Sequence, residues 1–194
     1  MEPTLESIKA YPRAMRFYIY TIYEFVLEMK CKKVLELGTQ NGQSARAILL
    51  ALKDNDRGRG YGTLISVDHK DRSGILDAAF QDYKPYWNFI RGDTTKPETI
   101  EQVRKALGLD GLFDLVVIDA GHKYEQVKQD WDNYTKLLRP GGVVFIHDTI
   151  NKNEEVWKLW LEIDWPEKFN CNWGLGRASD NLIVGMGIVK KPLE

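Results

Sequence analysis

VLELGTQNGQS, residues 34–44, is the segment that decides the fold of this chain. It opens with a short apolar run typical of a buried strand, passes through a polar stretch with two glycines, and leads into helical periodicity from Ala45. Because Gly38 and Gly42 lack a Cβ, the backbone can turn sharply there and approach a ligand. Free N–H groups at the start of the helix attract an anion, while Glu36, just before the turn, can hold a cation. The segment therefore suits a zwitterion, such as an amino acid head group, better than a pyrophosphate.

Short apolar runs and segments of helical periodicity alternate along the rest of the chain. Strands are predicted at 34–37, 63–67, 87–90, 113–118, 143–146 and within 182–189, with 169–173 as the partner strand of a final hairpin. Helices are predicted at 14–30, 45–52, 75–83, 97–107, 124–138 and 154–162. Alternation of this kind indicates a parallel sheet covered on both faces. We therefore predict an α/β fold with a doubly wound, mostly parallel seven-stranded sheet, helices on both faces and a C-terminal antiparallel hairpin.

Composition limits the classes of function. The 194 residues are 43% hydrophobic and carry a formal net charge of -1, and no basic block interrupts the chain. These values predict one domain with a substantial core and give no indication of nucleic-acid binding. Cys31 and Cys171 form neither a ligand-spaced pair nor a disulfide framework, which favours a reducing cytoplasm. With neither a signal-peptide pattern nor an apolar run of membrane-spanning length, we expect a soluble, cytoplasmic protein without a membrane partner.

Four acidic residues end, or nearly end, predicted strands: Glu36, Asp68, Asp119 and Asp148. In an open parallel sheet, ligands bind outside the carboxyl ends of the strands, close to where the strand order reverses. We expect these acids to converge along one edge of the sheet. Asp68, after the second strand, can accept hydrogen bonds from both ribose hydroxyls of an adenosine, although capping of a helix would use the same residue.

Two blocks of the sequence resemble the class I S-adenosylmethionine-dependent methyltransferases. The pattern Glu-Leu-Gly-x-x-x-Gly-x-Ser at 36–44 is similar to their motif I, with the catechol O-methyltransferase-like branch closest. The block FDLVVIDAGHKY at 113–124, with Pro-Gly-Gly at 140–142, resembles that branch and the macrocin-type sugar O-methyltransferases. The resemblance implies a Rossmann-like fold and S-adenosyl-L-methionine as cofactor. It also implies a single methyltransferase domain over 1–194, with an N-terminal helical extension (1–31), a cofactor-binding core (32–148) and an acceptor region with the final strands (149–194).

The resemblance assigns a set of cofactor-binding residues. These are Glu36, Gly38, Gly42, Ser44, Asp68, His69 and Asp93. His69 matches the position that packs on the adenine face, and Asp93 matches the acid beside the adenine amino group. For both, the residues leave another interpretation open, because His69 could be an exposed histidine and Asp93 could cap the helix at Pro97.

The resemblance also implies a metal site and a catalytic base. In the related enzymes the acids matching Asp119 and Asp148 coordinate a divalent metal, and two hard oxygen donors suit Mg²⁺. His122 matches the position of the base, where a neutral imidazole could remove the acceptor proton; capping of the following helix is the alternative. The third ligand is open. His147 could bind through nitrogen, favouring a transition ion, or pack against a neighbouring strand, and a metal-free site is also open.

We predict methylation of a hydroxyl group on a small-molecule acceptor, assisted by a divalent metal if one is bound. Trp165 and Trp173 lie on loop-like sequence that could cover the acceptor, whose identity the sequence does not reveal. A cephalosporin hydroxylase-like oxidation on the same scaffold, a nicotinamide oxidoreductase and a non-catalytic cofactor-binding module are the alternatives. The assembly state is open, a homo-oligomer included.

Overall fold

Seven strands form one sheet in the computed structural model, which describes residues 3–10, 14–56, 62–76, 78–108, 111–171 and 184–194. The strands are β1 (Lys33–Leu37), β2 (Thr63–Asp68), β3 (Trp87–Arg91), β4 (Phe113–Ile118), β5 (Leu138–His147), β6 (Lys168–Cys171) and β7 (Met186–Lys190). Their spatial order is β3-β2-β1-β4-β5-β7-β6. Strands β1 to β5 pair in parallel, and β7 is antiparallel to both β5 and β6. This arrangement confirms the predicted doubly wound sheet with its C-terminal antiparallel hairpin.

Six α-helices accompany the sheet in the part of the chain that the structure describes. They are α1 (Leu5–Lys9), α2 (Ile19–Glu28), α3 (Gln43–Asp56), α4 (Pro97–Leu107), α5 (Tyr124–Tyr134) and α6 (Val156–Glu162). Short 3-10 segments lie at Ala14–Phe17, Ala78–Tyr86 and Thr135–Leu137. None of the helices in these described ranges is both long and apolar enough to cross a membrane.

The two faces of the sheet bury two separate cores, as the alternation of side chains along a strand requires. Val34 of β1 and Val117 of β4 pack with α2 and α3 on one face. Leu35 and Leu37 of β1 pack with α4, α5 and α6 on the other. Strands buried on both faces have continuous apolar sequences, which is why β1 and β4 could be recognised. The same alternation turns Glu36 towards α3.

Three elements differ from the sequence prediction in more than their bounds. Strand β5 begins at Leu138 and includes Pro140, Gly141 and Gly142, which the prediction left between a helix at 124–138 and a strand at 143–146. The register against β4 shifts at this point, so the three residues form a bulge, a position where proline and glycine are tolerated within a sheet. The helix expected at 75–83 is a 3-10 segment at Ala78–Tyr86 that contains a proline. Helix α1 was not predicted; the Thr4 and Ser7 side chains close a capping box at its start.

The topology brings four strand ends together. β1 and β4 are neighbours, while the chain proceeds from β1 towards β3 on one side and from β4 towards β6 on the other. The strand order therefore reverses between β1 and β4, and a crevice opens beyond their carboxyl ends. Gly38, Asp68, Asp119 and Asp148 follow or end the strands β1, β2, β4 and β5 along this edge.

Candidate active site

A cavity of about 540 Å³ lies at the carboxyl edge of the sheet, between the loops that follow β1, β2, β3 and β4. Six of the predicted site residues line it: Gly38, Asp68, His69, Asp93, Asp119 and His122. The other five predicted residues, Glu36, Gly42, Ser44, His147 and Asp148, lie outside its lining.

Gly38 allows the loops after β1 and β4 to touch. Its φ is +90°, and a Cβ at this position would lie 2.1 Å from the carbonyl oxygen of Asp119. The N–H of Gly38 donates to Val67 at 2.8 Å, and the N–H of Asp119 donates to Leu37, also at 2.8 Å. Because backbone atoms would collide with any side chain here, only glycine fits this crossing.

Glu36 and Ser44 lie behind the glycine turn and bond to each other. The Ser44 hydroxyl donates to Oε1 of Glu36 at 2.5 Å, and the Glu36 side chain is completely buried. Burial raises the pKa of Glu36 to about 7, against the opposing effect of the Ser44 hydroxyl. Gly42 closes the turn by donating its N–H to Thr39 at 2.7 Å. These residues support the turn in this structure, and their contact with a ligand stays a prediction.

Asp68 is a buried carboxylate at the end of β2 that also forms part of the cavity wall. Its two oxygens accept hydrogen bonds from the N–H of Gln40, at 2.9 Å, and from the N–H of Lys70, at 2.8 Å. Arg72 lies 3.5 Å away. Burial raises the pKa of Asp68, but the two N–H groups and Arg72 together lower it below its usual value. The residue is therefore an ionised acceptor at neutral pH.

His69 and Asp93 flank the same end of the cavity. The His69 side chain is 72% exposed, and its Nδ1 lies 3.4 Å from Asp68. The Asp93 carboxylate accepts hydrogen bonds from both the N–H and the hydroxyl of Thr95, at 2.9 and 2.8 Å. Both residues line the cavity, and their contact with an adenine stays a prediction. Asp93 does not cap the helix that begins at Pro97, because the N-cap of that helix is Lys96 and no side chain caps it.

Two carboxylates and two imidazoles meet at the opposite end. His147 Nδ1 lies 3.1 Å from Asp119 Oδ1 and 3.0 Å from Asp148 Oδ2. His122 Nε2 lies 3.2 Å from the same Asp148 oxygen and 3.6 Å from Asp119 Oδ1. The Asn151 side chain donates to Asp148 Oδ1 at 3.1 Å. Asp148 has a φ of +62°, a left-handed conformation that is uncommon for aspartate and that clusters at functional sites.

Backbone contacts fix His122 in this position. Its carbonyl accepts the N–H of Glu155 at 2.9 Å, which ties the loop after β4 to the segment before α6. Helix α5 has no side-chain cap at Lys123, and the Glu155 carboxylate accepts the N–H of Tyr124 instead. His122 therefore does not cap α5, and the alternative interpretation of this histidine is wrong.

The four groups strongly perturb one another. The carboxylates of Asp119 and Asp148 raise the pKa of His122 to about 10. Burial lowers the pKa of His147, but the same two carboxylates outweigh it and raise the value to about 10. Burial opposes ionisation of Asp119 and Asp148, yet the histidines bring both carboxyl pKa values below the usual range. The two carboxylates therefore favour the protonated form of both imidazoles, and the expected neutral His122 requires that its proton first be lost.

The cluster also fits a metal ion. Asp119, His122 and Asp148 each offer one ligand atom, and these atoms lie within 4.8 Å of one another. A set of two carboxylates and an imidazole accommodates Mg²⁺ less naturally than a transition ion. His147 is not part of this group, although its Nδ1 lies 3.1 Å from Asp119 and 3.0 Å from Asp148, and its role as a ligand stays a prediction.

Some residues at the cavity were not predicted. Thr94 and Gln126 line it, one just after Asp93 and the other on the first turn of α5. Gln126 could have been predicted from the sequence, because it is a polar residue at the start of the helix that follows Asp119. Trp165, which was expected to cover the acceptor, packs against Trp131 of α5 with ring centroids 4.7 Å apart and is not among the residues that line this cavity. Trp173 lies outside the described residues.

Comparison with known proteins supports the architecture. An uncharacterized protein of Sinorhizobium fredii is 25% identical over 145 residues, and the match covers 70% of this chain but only 15% of that protein. The O-methyltransferase of Bacillus cereus, solved in complex with SAH, matches with a TM-score of 0.67 and 15% identity, over 97% of this chain and 92% of that one. The O-methyltransferase TomG of Streptomyces achromogenes, solved in complex with SAM, gives a TM-score of 0.61 and 15% identity, over 98% and 91%. At these identities the structural likeness establishes the fold.

The family described as Methyltransferase domain matches residues 35–149, from β1 to the loop that carries Asp148. This match and the shared fold confirm the predicted methyltransferase family and the Rossmann-like architecture. Because the match covers more than half of the chain, this chain belongs to the Methyltransferase domain family.

Proposed function

We propose that the protein transfers the methyl group of S-adenosylmethionine to a hydroxyl group of a small molecule. The observation that carries this proposal is a single cavity lined by an ionised Asp68 at one end and by Asp119 and His122, which cluster with Asp148, at the other. The first end suits a nucleoside and the second suits an acceptor oxygen. Solved O-methyltransferases of the same fold hold SAH or SAM.

The cofactor is proposed to lie along the carboxyl edge with its adenosine between the loops after β2 and β3. Asp68 would accept the ribose hydroxyls, and Asp93 would accept the adenine amino group, with His69 against the ring. The methionine part would lie over the Gly38 turn, where the backbone can approach it. This places the sulfonium methyl near Asp119, in front of the loop that carries His122.

The chemistry asks little covalent participation of the protein. The sulfonium already activates the methyl group, so the chain has to align the acceptor oxygen behind that carbon and accept its proton. Asp119 and Asp148 would hold a divalent cation, which lowers the pKa of a bound hydroxyl, while the His122 imidazole stays free of the metal. His122 is cationic while both carboxylates face it, and neutralising these carboxylates with a cation would favour release of its proton. His122 could then act as the base.

The first experiment measures binding and turnover separately. Isothermal titration calorimetry with SAH tests the cofactor, and the Asp68→Asn variant should bind SAH at least about tenfold more weakly, because it loses charge-assisted hydrogen bonds to the ribose. Purified protein with SAM, a panel of phenols and sugars, and Mg²⁺, Mn²⁺ or Co²⁺ tests the transfer. Absence of SAH binding by the unaltered chain contradicts the cofactor assignment. Tight SAH binding without turnover on any acceptor favours the non-catalytic module.

A second candidate is oxidation of the cephalosporin hydroxylase type. The imidazole within the metal-ligand group favours it, because histidine with carboxylates is a donor set that suits redox-active iron. Metal analysis of the purified protein and oxygen consumption separate the two functions. Four further expectations stay predictions: the cytoplasmic location, the absence of a nucleic-acid partner, the single-domain organisation and any homo-oligomer.

A further inference from the structure

Asp130, in the middle of α5, is a buried carboxyl group without a hydrogen-bond partner. Its relative exposure is 0%, and neither Oδ atom has a partner within hydrogen-bond distance among the described residues. An unsatisfied buried polar group destabilises a fold, so each such group calls for an explanation.

The position of Asp130 on α5 links it to the cavity. Residues four apart lie on one face of a helix, so Gln126, Asp130 and Tyr134 form one stripe. Gln126 lines the cavity, and the Tyr134 hydroxyl donates to the carbonyl oxygen of Thr94 at 2.9 Å. Gln126, one turn before Asp130, therefore forms part of the cavity wall. Tyr134, one turn after Asp130, supports the loop after β3 where that loop meets α5.

The polar side chain that acts on Asp130 belongs to that loop. Burial raises the pKa of Asp130 to about 7, the Thr94 hydroxyl opposes this rise, and the nearby Asp93 carboxylate adds to it. The other titratable group that interacts with it is Tyr134. Near neutral pH a large share of the molecules thus carries a protonated Asp130, and a protonated carboxyl can donate a hydrogen bond as well as accept one. Thr94 is buried, with a relative exposure of 7%, and it lines the cavity.

We infer that Asp130 is a positioning residue for the nucleoside end of the cavity, acting through Thr94. When the cofactor binds, the Asp130 carboxyl group accepts a hydrogen bond from the Thr94 hydroxyl while Tyr134 donates to the Thr94 carbonyl, so that Thr94 presents a fixed polar edge to the base of the cofactor. Asp130 itself does not touch the ligand. The inference rests on the proposed function, in which adenosine occupies this end. The stability lost at the unpaired carboxyl is then offset when the cofactor binds.

Leucine at position 130 separates this role from a structural one. Asp130→Leu keeps the approximate shape and removes the buried polar atoms, so the urea midpoint of the ligand-free protein should rise or stay unchanged. The Kd for SAH should nevertheless increase by about two- to tenfold, the range expected for one lost hydrogen bond. Asp130→Asn, which can still bond to Thr94, should stay within about twofold of the unaltered chain. Asp132→Leu, at an acid of the same helix whose side chain is 47% exposed, is the matched control and should leave the Kd unchanged.

A double-mutant cycle tests the path through Thr94. If Asp130 acts through the Thr94 hydroxyl, Thr94→Val should weaken SAH binding, and adding Asp130→Leu to it should weaken binding no further. Calorimetry at constant pH measures all four proteins. Additive losses, or an Asp130→Leu variant that binds SAH as tightly as the unaltered chain, would overturn the inference. So would parallel losses of stability and affinity in both the leucine and asparagine variants. Failure of the unaltered chain to bind SAH is a different result, seen before any variant is compared, and overturns the proposed function itself.

Discussion

Gly38→Ala is the sharpest test of how the site is built, because the chain contains a matched control. Gly38 and Gly108 have nearly the same φ, +90° and +91°. A Cβ at Gly38 would lie 2.1 Å from the carbonyl oxygen of Asp119 and 2.8 Å from the nitrogen of Ala120, whereas a Cβ at Gly108 would meet nothing within 4 Å. Both alanine variants therefore place a side chain at a positive φ, and only Gly38→Ala adds a collision.

The expected magnitudes follow from these contacts. A non-glycine residue in this conformation costs about 1–3 kcal/mol, which both variants lose. The collision at Gly38 involves backbone atoms on both sides, so it is relieved only by separating the loops after β1 and β4, at a further cost of about 1–3 kcal/mol or more. We expect Gly38→Ala to lose about 2–6 kcal/mol of unfolding free energy and Gly108→Ala about 1–3 kcal/mol.

Urea unfolding followed by tryptophan fluorescence measures the two losses, and calorimetry with SAH measures binding. SAH affinity should fall in Gly38→Ala, because the loop carrying Asp119 moves, and should be retained in Gly108→Ala, at the end of α4. Equal losses of stability in the two variants, together with unchanged SAH affinity in Gly38→Ala, would refute this account of the crossing.

Three further predictions concern charged groups of the site and its surroundings. The pKa of Asp130 is raised from 3.8 to about 7, so the folded protein binds more protons than the unfolded chain between these values, and its contribution to stability is lost as the pH rises from about 4 to about 7. Asp130→Asn should remove up to about 4 kcal/mol of this decline in urea unfolding across the pH range; an unaltered slope would contradict the assignment. Asp119→Asn should lower kcat by at least about tenfold while the Kd for SAH stays within about threefold, and the reverse pattern in calorimetry would make Asp119 a cofactor residue. A divalent cation at a hundredfold excess over its Kd should stabilise the protein by about 2.7 kcal/mol in thermal unfolding and EDTA should reverse it, whereas Asp148→Asn should abolish the response; a cation effect that survives in Asp148→Asn would place the metal elsewhere.

Local patterns were sufficient for most of the scaffold. Helix α4 and strand β4 have the bounds expected from periodicity. The buried apolar residues of α4 lie on one face of the helix, and those of β4 are buried on both faces of the sheet, so each segment shows a clear pattern. The bulge in β5 was missed, because Pro140 and Gly141 carry the same signal at a helix end and within an irregular strand. Only pairing with β4 on one side and β7 on the other distinguishes these cases.

The site was predictable in its acids and less so in their partners. Asp68 and Asp119 end strands of one sheet, and parallel strands place such ends at the same edge, so their convergence on one cavity followed from chain order. The bond between Glu36 and Ser44 did not follow, because it depends on which face of β1 the alternating side chain meets. The protonation of His122 depends on the approach of Asp148, which lies on another strand end.

The sequence by itself determined the order of strands and helices, the glycine turn after β1 and the acids at the strand ends, because each is encoded by neighbouring residues with a fixed repeat. The tertiary structure decided that His147 bridges Asp119 and Asp148, that the Asp130 carboxyl group is buried without a partner, and that Trp165 packs against Trp131. These contacts join segments far apart in the chain. Their geometry depends on how the two cores pack against the sheet, and this geometry sets the charge of each group. The local sequence pattern carries no information about it.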